Sequence, residues 1–302
     1  MPVDADHLNR LRGLEAHLRS RLLGQDQVLT RLAAVFARGE LGLTRGDRPR
    51  GVILAVGPTG TGKTESILLA SEHLFGQGHV CRFDLSEFQR DDAVEQLLGS
   101  GGPGEGAIAR AAILPSPRVW LFDELEKANP RVFDLFIQLL EPGRLTLASG
   151  EVISLSEDYV AFTSNLGSSE AVRMARSNAA SIEQAVMRRL AESIRPEILG
   201  RIPEKLVFGR LAPEVQREIA ALHLQSEVAR LSANGFDLEV SPEALEFLIR
   251  EGFHPQLGAR PLRQTIERNL QDAVARSLFA KGTGSGRLEP EVGHGRLSLI
   301  PC

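Results

Sequence analysis

Eight consecutive residues, Gly57-Pro58-Thr59-Gly60-Thr61-Gly62-Lys63-Thr64, hold the first chemistry legible in this sequence. They satisfy the pattern G-x-x-x-x-G-K-[ST] in full. An apolar run over 51–56 reads as the strand before them, and 64–75 reads as the helix after them. Glycines let backbone N–H groups turn inward around phosphates, Lys63 can reach the terminal phosphates, and Thr64 offers a hydroxyl to Mg²⁺. The group implied is a nucleoside triphosphate, ATP, with its Mg²⁺.

A second element is Val119-Trp120-Leu121-Phe122-Asp123-Glu124. On their own, two acids after an apolar run read as a solvated strand end. Beside a phosphate loop they read as hydrolytic, with Asp123 holding the metal through water and Glu124 orienting and polarising the attacking water.

These residues need a frame to bring them together. Apolar residues at Leu8, Leu11, Leu14, Leu18 and Leu22 form a helical stripe, placing an N-terminal helix over about 5–22, and a second helix runs from about Asp26 to Phe36. Strands are expected over 51–56, 79–85, 118–122 and 159–164, alternating with helices over 64–75, 91–98 and 131–140. That alternation predicts an α/β fold with a parallel sheet covered on both faces and the phosphate loop at its carboxyl edge. Beyond residue 208 the pattern becomes helical, over 213–232, 242–251 and 261–279, followed by a glycine-rich turn over 281–286 and a last short strand over 296–300. The expected division is a large α/β domain over 1–208 and a small, mainly helical C-terminal domain over 209–302.

With 302 residues, 42% hydrophobic and 25% charged, the chain has the composition of a globular protein with a full core. The net charge of -4 gives no global basic footprint, so nucleic acid is not an expected partner. Two cysteines, Cys81 and Cys302, do not make a disulfide framework, and a reducing cytoplasmic setting without membrane attachment is expected. The seven histidines are scattered and pair with no Cys or carboxylate at ligand spacing. Cys81 reads as a small core residue, Asp91 and Asp92 as a helix N-terminal pair, and Arg188 and Arg189 as a solvated helix face.

Further motifs carry a family resemblance. The phosphate loop, Leu121-Phe122-Asp123-Glu124-Leu125-Glu126-Lys127-Ala128 and Thr163-Ser164-Asn165-Leu166-Gly167 resemble the second ATPase ring of Clp-type AAA+ chaperones such as ClpB. So do Leu23-Gly24-Gln25-Asp26, Asp84-Leu85-Ser86-Glu87-Phe88, Gly143-Arg144-Leu145-Thr146, Arg195-Pro196-Glu197-Ile198-Leu199-Gly200-Arg201-Ile202 and Gly258-Ala259-Arg260-Pro261-Leu262. The resemblance runs in order over nearly the whole chain. It implies an AAA+ P-loop ATPase: a parallel five-stranded sheet flanked by helices, with a helical C-terminal lid domain.

The resemblance also implies roles. Asn165 would be the first sensor, near the γ-phosphate and its water. Arg201 would be an arginine finger reaching a neighbouring subunit's ATP, with Arg195 as the fallback. Arg260 would be the second sensor, on the small domain. Leu22 and Leu23 fall where the family lines its adenine pocket, and simple helix-end packing is the alternative for both. The assembly implied is a homo-oligomeric, hexameric ring.

Departures matter as much. Where Clp unfoldases carry an aromatic Gly-Tyr-Val-Gly pore loop, this chain has Leu98-Gly99-Ser100-Gly101-Gly102-Pro103-Gly104-Glu105-Gly106, shorter and without an aromatic residue. Between Asn165 and Arg195 there is no Ile-Gly-Phe or Leu-Gly-Phe tripeptide for docking a ClpP-like protease. No first ring, substrate-recognition domain or coiled-coil insertion is present, so the chain reads as a bare module, alone or as a domain of something larger. The expectation is ATP hydrolysis coupled to remodelling of a dedicated protein partner or adaptor without generic threading. A nucleotide-gated assembly scaffold with slow turnover is the alternative, and a DNA-directed AAA+ motor a further one.

Overall fold

The computed structural model describes residues 4–102, 105–174, 177–254, 257–291 and 293–300. Pro103 and Gly104 of the glycine-rich segment, and Cys302, lie outside them. Two compact units are distinguished: residues up to Pro58 with Gly62–Arg210, and Leu211 onward with Thr59–Thr61.

The first unit opens with α1 (Ala5–Arg21) and α2 (Asp26–Glu40), followed by β1 (Gly51–Val56), α3 (Lys63–Phe75) and β2 (Val80–Asp84). Next come α4 (Ala93–Leu98), α5 (Ala107–Ala111), β3 (Val119–Asp123) and α6 (Val132–Leu140). A small hairpin, β4 (Arg144–Thr146) with β5 (Val152–Ser154), precedes β6 (Tyr159–Ser164). The unit closes with α7 (Ser168–Arg173), α8 (Ala179–Ser193), α9 (Pro196–Arg201) and β7 (Glu204–Val207).

Five strands form the main sheet in the order β2-β3-β6-β1-β7, every neighbouring pair parallel. The three central strands β1, β3 and β6 are buried on both sides, which is why they read as mainly apolar runs, broken by Asp123 at the end of β3 and by Thr163 and Ser164 at the end of β6. Alternation sorts their side chains: Val52, Leu54, Val56, Trp120, Phe122, Val160 and Phe162 join one core cluster, while Ile53, Ala55, Val119, Leu121, Tyr159 and Ala161 join the other. The second cluster is completed by α1, α2 and α3 through Leu14, Leu18, Leu32, Phe36 and Ile67. Chain order differs from sheet order, so β6 lies between β1 and β3, and their carboxyl ends at Val56, Ser164 and Asp123 come side by side.

At the opposite end of the sheet, Asp158 is fully buried and accepts hydrogen bonds from Arg118 N and Nε, Trp120 Nε1 and Ser116 Oγ at 2.7–2.9 Å. A buried carboxylate so fully satisfied locks the entry of β3 against that of β6. Cys81 is buried, and burial pushes its thiol up to about 12, so it behaves as a small apolar residue.

The second unit contains α10 (Pro213–Ser232), β8 (Leu238–Val240), α11 (Pro242–Gly252), α12 (Leu262–Lys281), β9 (Gly286–Glu291) and β10 (Arg296–Ile300). Its core gathers Leu224, Leu231, Phe247, Leu248, Ile266 and Leu270 from the helices with Leu288, Leu297 and Leu299 from the strands. The three strands form a sheet in the order β10-β9-β8. A single last strand is therefore an undercount. Gly286 begins β9 rather than ending a turn, and sheet pairing with β8 and β10 overrides the glycine and proline signals there. No helix among the described residues is long and apolar enough to cross a membrane.

Candidate nucleotide site

The ends of β3 and β6 each deliver a side chain to the phosphate loop that follows β1. Lys63, buried at the start of α3, donates from Nζ to Gly57 O at 2.7 Å, Pro58 O at 2.8 Å and Asn165 Oδ1 at 3.0 Å. Asn165 directly follows β6. Thr64, the next residue of α3, donates from Oγ1 to Asp123 Oδ1 at 2.9 Å, at the end of β3. Lys63 with Asn165, and Thr64 with Asp123, are thus brought into hydrogen-bond contact.

The loop's backbone explains its glycines. Gly57 has φ +140, and a Cβ there would lie 2.3 Å from Phe208 O. Gly62 precedes α3 in the left-handed region at φ 98, where glycine costs least. It has no side chain to cap the helix, so the N-terminal N–H groups of this 13-residue helix are left for an anion. Burial lowers the Lys63 ammonium to about 8, against the carboxylates of Glu126, Asp123 and Glu124, which raise it. A buried ammonium held by two carbonyls and an amide, beside a helix N-terminus, fits a polyphosphate. The Thr64 hydroxyl against a carboxylate fits a hard cation such as Mg²⁺.

Asp123 is held from two further sides that sequence reasoning missed. Thr163 donates from Oγ1 to Asp123 Oδ1 at 2.9 Å, and Arg82 donates from Nε to Asp123 Oδ2 at 2.7 Å. The second contact depends on β2–β3 register, which pairs Arg82 with Leu121 and so places it diagonally from Asp123. Thr163 Oγ1 also accepts the N–H of Glu124 at 3.1 Å. Glu124 has φ 59, a positive value shared by no other non-glycine among the described residues. A side chain rarely adopts this backbone, and such strain concentrates at functional sites.

Leu22 caps the C-terminal end of α1 and packs on the core cluster of α1, α2 and β1. Its Cδ2 lies 3.0 Å from where a Cβ on Gly62 would be, so it does stand beside the phosphate loop. Leu23 follows it, half-buried. Gln25 fixes the neighbouring chain, donating from Nε2 to Gly209 O at 3.0 Å and accepting from Gly209 N at 3.1 Å.

Arg201 and its fallback Arg195 are not at this cluster. Arg201 ends α9, where Nε and Nη2 each donate to Glu141 Oε2 at 2.6 Å and Nη1 donates to Glu197 O at 2.7 Å. Arg195 donates to Asp134 Oδ1 at 2.5 Å. Both pairs are exposed, and such pairs are worth at most about 1 kcal/mol, so a phosphate could replace the carboxylate cheaply. Arg260 is exposed in the second unit, just before α12.

The family model of the AAA domain (Cdc48 subfamily) matches residues 48–205, which hold the loop, Asp123, Glu124, Asn165 and Arg201. The chain belongs to the AAA family. It is accordingly an ATPase, and its second unit is matched over residues 211–287 by the C-terminal, D2-small domain of ClpB protein. Among curated relatives, it is 36% identical over 299 residues to the chaperone protein ClpB of Meiothermus ruber, covering 96% of this chain and 35% of the relative. It is 34% identical over 296 residues to the chloroplastic chaperone protein ClpC2 of Oryza sativa subsp. japonica, covering 92% of this chain and 32% of that one. The AAA module spans about a third of the length of the curated relatives it matches.

Proposed function

We propose that this module hydrolyses ATP within a homo-oligomeric, hexameric ring and spends the conformational change on a dedicated protein partner. The observation that carries the reading is the meeting of Lys63, Asn165, Thr64 and Asp123 at the ends of three adjacent strands. The chaperone relatives support the remodelling role. Its site is the loop Gly57, Pro58, Thr59, Gly60, Thr61, Gly62, Lys63 and Thr64, with Leu22 and Leu23 against adenine. The working division is a large domain over 1–208 and a small one over 209–302.

Mg²⁺, when bound, neutralises charge on the β- and γ-phosphate oxygens. Thr64 would hold it directly and Asp123 through water. Lys63 exchanges its carbonyl and amide partners for phosphate oxygens, Asn165 orients the attacking water, and Glu124 takes up its proton. Arg201, released from Glu141, acts on a neighbour's ATP, and Arg260 reports nucleotide state from the small domain. The setting is cytoplasmic, with no membrane, nucleic acid or ClpP-like protease among the partners.

Action in trans has a direct test. Arg201→Ala keeps ATP binding and loses turnover, and mixing it with Lys63→Ala subunits restores part of the turnover where an intact loop meets an intact finger. Release of phosphate by the two variants, separately and mixed, measures this. A mixture as inactive as its parts would count against a finger in trans.

A second expectation concerns the glycine-rich segment. Glu105 Oε2 accepts from Ser100 N and Gly102 N at 3.1 Å each, folding the segment onto itself with no apolar side chain to offer. An aromatic grip gains from burial against almost any passing side chain, and glycines supply no such area. A stable fluorescent protein with an unstructured tag therefore keeps its fluorescence with ATP and saturating ring. ATP-dependent loss without any added partner would show that threading survives.

A further inference from the structure

We propose that Glu126 is a positioning residue for hydrolysis, fixing Asn165 through its backbone N–H so that the Asn165 carboxamide is held at the phosphate loop. The inference rests on the proposed role of Asn165. Glu126 stands in a short 3-10 turn, Leu125–Lys127, immediately after the strained Glu124. Leu125 anchors that turn in the core with no exposure, while Lys127 faces solvent. Between them, Glu126 reaches from the end of β3 to the end of β6, where its Oε1 accepts the N–H of Asn165 at 3.0 Å.

The other oxygen is the unusual one. Glu126 Oε2 is buried and has no hydrogen-bond partner among the described residues. An idle surface glutamate would turn that oxygen to water, because an unsatisfied buried acceptor carries its full desolvation cost. Keeping the carboxylate inside is what allows a charge-assisted bond to the amide, shorter and stronger than a neutral one.

The remainder of the Asn165 backbone is also tied. Its carbonyl accepts from Ser168 N at 3.2 Å and from Ser168 Oγ. Ser164 Oγ accepts from Leu166 N at 3.1 Å. With N–H and C=O both fixed, Asn165 can move only about its side-chain torsions, and its Oδ1 sits 3.0 Å from Lys63 Nζ. Glu126 is the one member of this set that comes from the turn after β3, which ends at Asp123 and is followed by Glu124. It therefore ties the position of Asn165 to that of the hydrolytic acids.

The experiment compares Glu126→Ala, Glu126→Asp, Glu126→Gln, Asn165→Ala and the Glu126→Ala/Asn165→Ala double variant. Amide hydrogen exchange at Asn165 is followed in the nucleotide-free protein, kcat by phosphate release, and affinity with a fluorescent ADP analogue. Glu126→Ala and Glu126→Asp, the latter keeping the charge but withdrawing it by a methylene, should expose the Asn165 amide and lower kcat about tenfold, leaving ADP affinity within about threefold. Glu126→Gln still offers an acceptor and should restore amide protection and most of the rate. The double variant should be no slower than Asn165→Ala, since one residue acts through the other. An impaired Asn165→Ala beside unimpaired Glu126→Ala and Glu126→Asp overturns the inference alone, as does a double variant slowed by the product of both singles. An Asn165→Ala variant as fast as wild type overturns the role of Asn165 and the inference with it.

Discussion

Glu124→Gln binds ATP like the wild type and hydrolyses it at least about a hundredfold more slowly, the scale on which a positioned general base acts. The expectation follows from a division of labour visible in the fold. The phosphate-facing groups come from the loop and α3, where Lys63 bonds Gly57 O and Pro58 O and Thr64 meets Asp123. Glu124 is instead the residue after β3. Its N–H is held by Thr163 Oγ1, and its backbone is fixed at a positive φ of 59. An amide in its place keeps the size and loses the basicity. Nucleotide titration alongside single-turnover phosphate release separates the two quantities, and an undiminished rate would remove Glu124 from the mechanism.

Lys63→Ala should abolish tight ATP binding. A charge-assisted bond to phosphate is commonly worth about 1.5–3 kcal/mol, and the ammonium serves both the β- and γ-phosphates. The same residue predicts a pH dependence. In the nucleotide-free protein burial lowers Lys63 to about 8, so its neutral amine accumulates as pH rises through that value. Since the ammonium is the binding form, apparent affinity falls by about tenfold between pH 7 and pH 9 in the wild type. In Lys63→Ala the residual affinity is flat over that window. Equal affinities for the two proteins at neutral pH, or a wild-type affinity that does not fall, would contradict this role.

How much of this was legible beforehand depended on whether the deciding contact was local. β1 and β6 are legible to the residue, because strands covered on both faces are near-continuous apolar runs, broken in β6 at Thr163 and Ser164. α2 extends to Glu40, past the expected end at Phe36, since Gly39 packs under Tyr159 rather than stopping the helix. The hairpin β4–β5 offers only three residues a side, too few for a period to show. Of α8 the sequence shows only a helix face at Arg188 and Arg189, and α9 is seen only as a family motif, although Asn178 caps α8 by accepting from Ser181 N. The loop, Asp123 and Glu124 were legible from type and spacing. Arg82, Thr163 and Glu126 were not assigned roles, because each acts across a strand boundary fixed by register. Arg201 illustrates a different limit: among the described residues it meets Glu141 and Glu197, and its proposed target belongs to another subunit.

The central claim, hydrolysis at a site completed by a neighbouring subunit, is tested most directly by ATP turnover per subunit over a dilution series of the wild-type protein, with particle mass recorded in the same samples. The account predicts that turnover rises with concentration together with the fraction assembled, and falls toward zero as the ring dissociates. Turnover that stays constant per subunit down to a demonstrated monomer would contradict it.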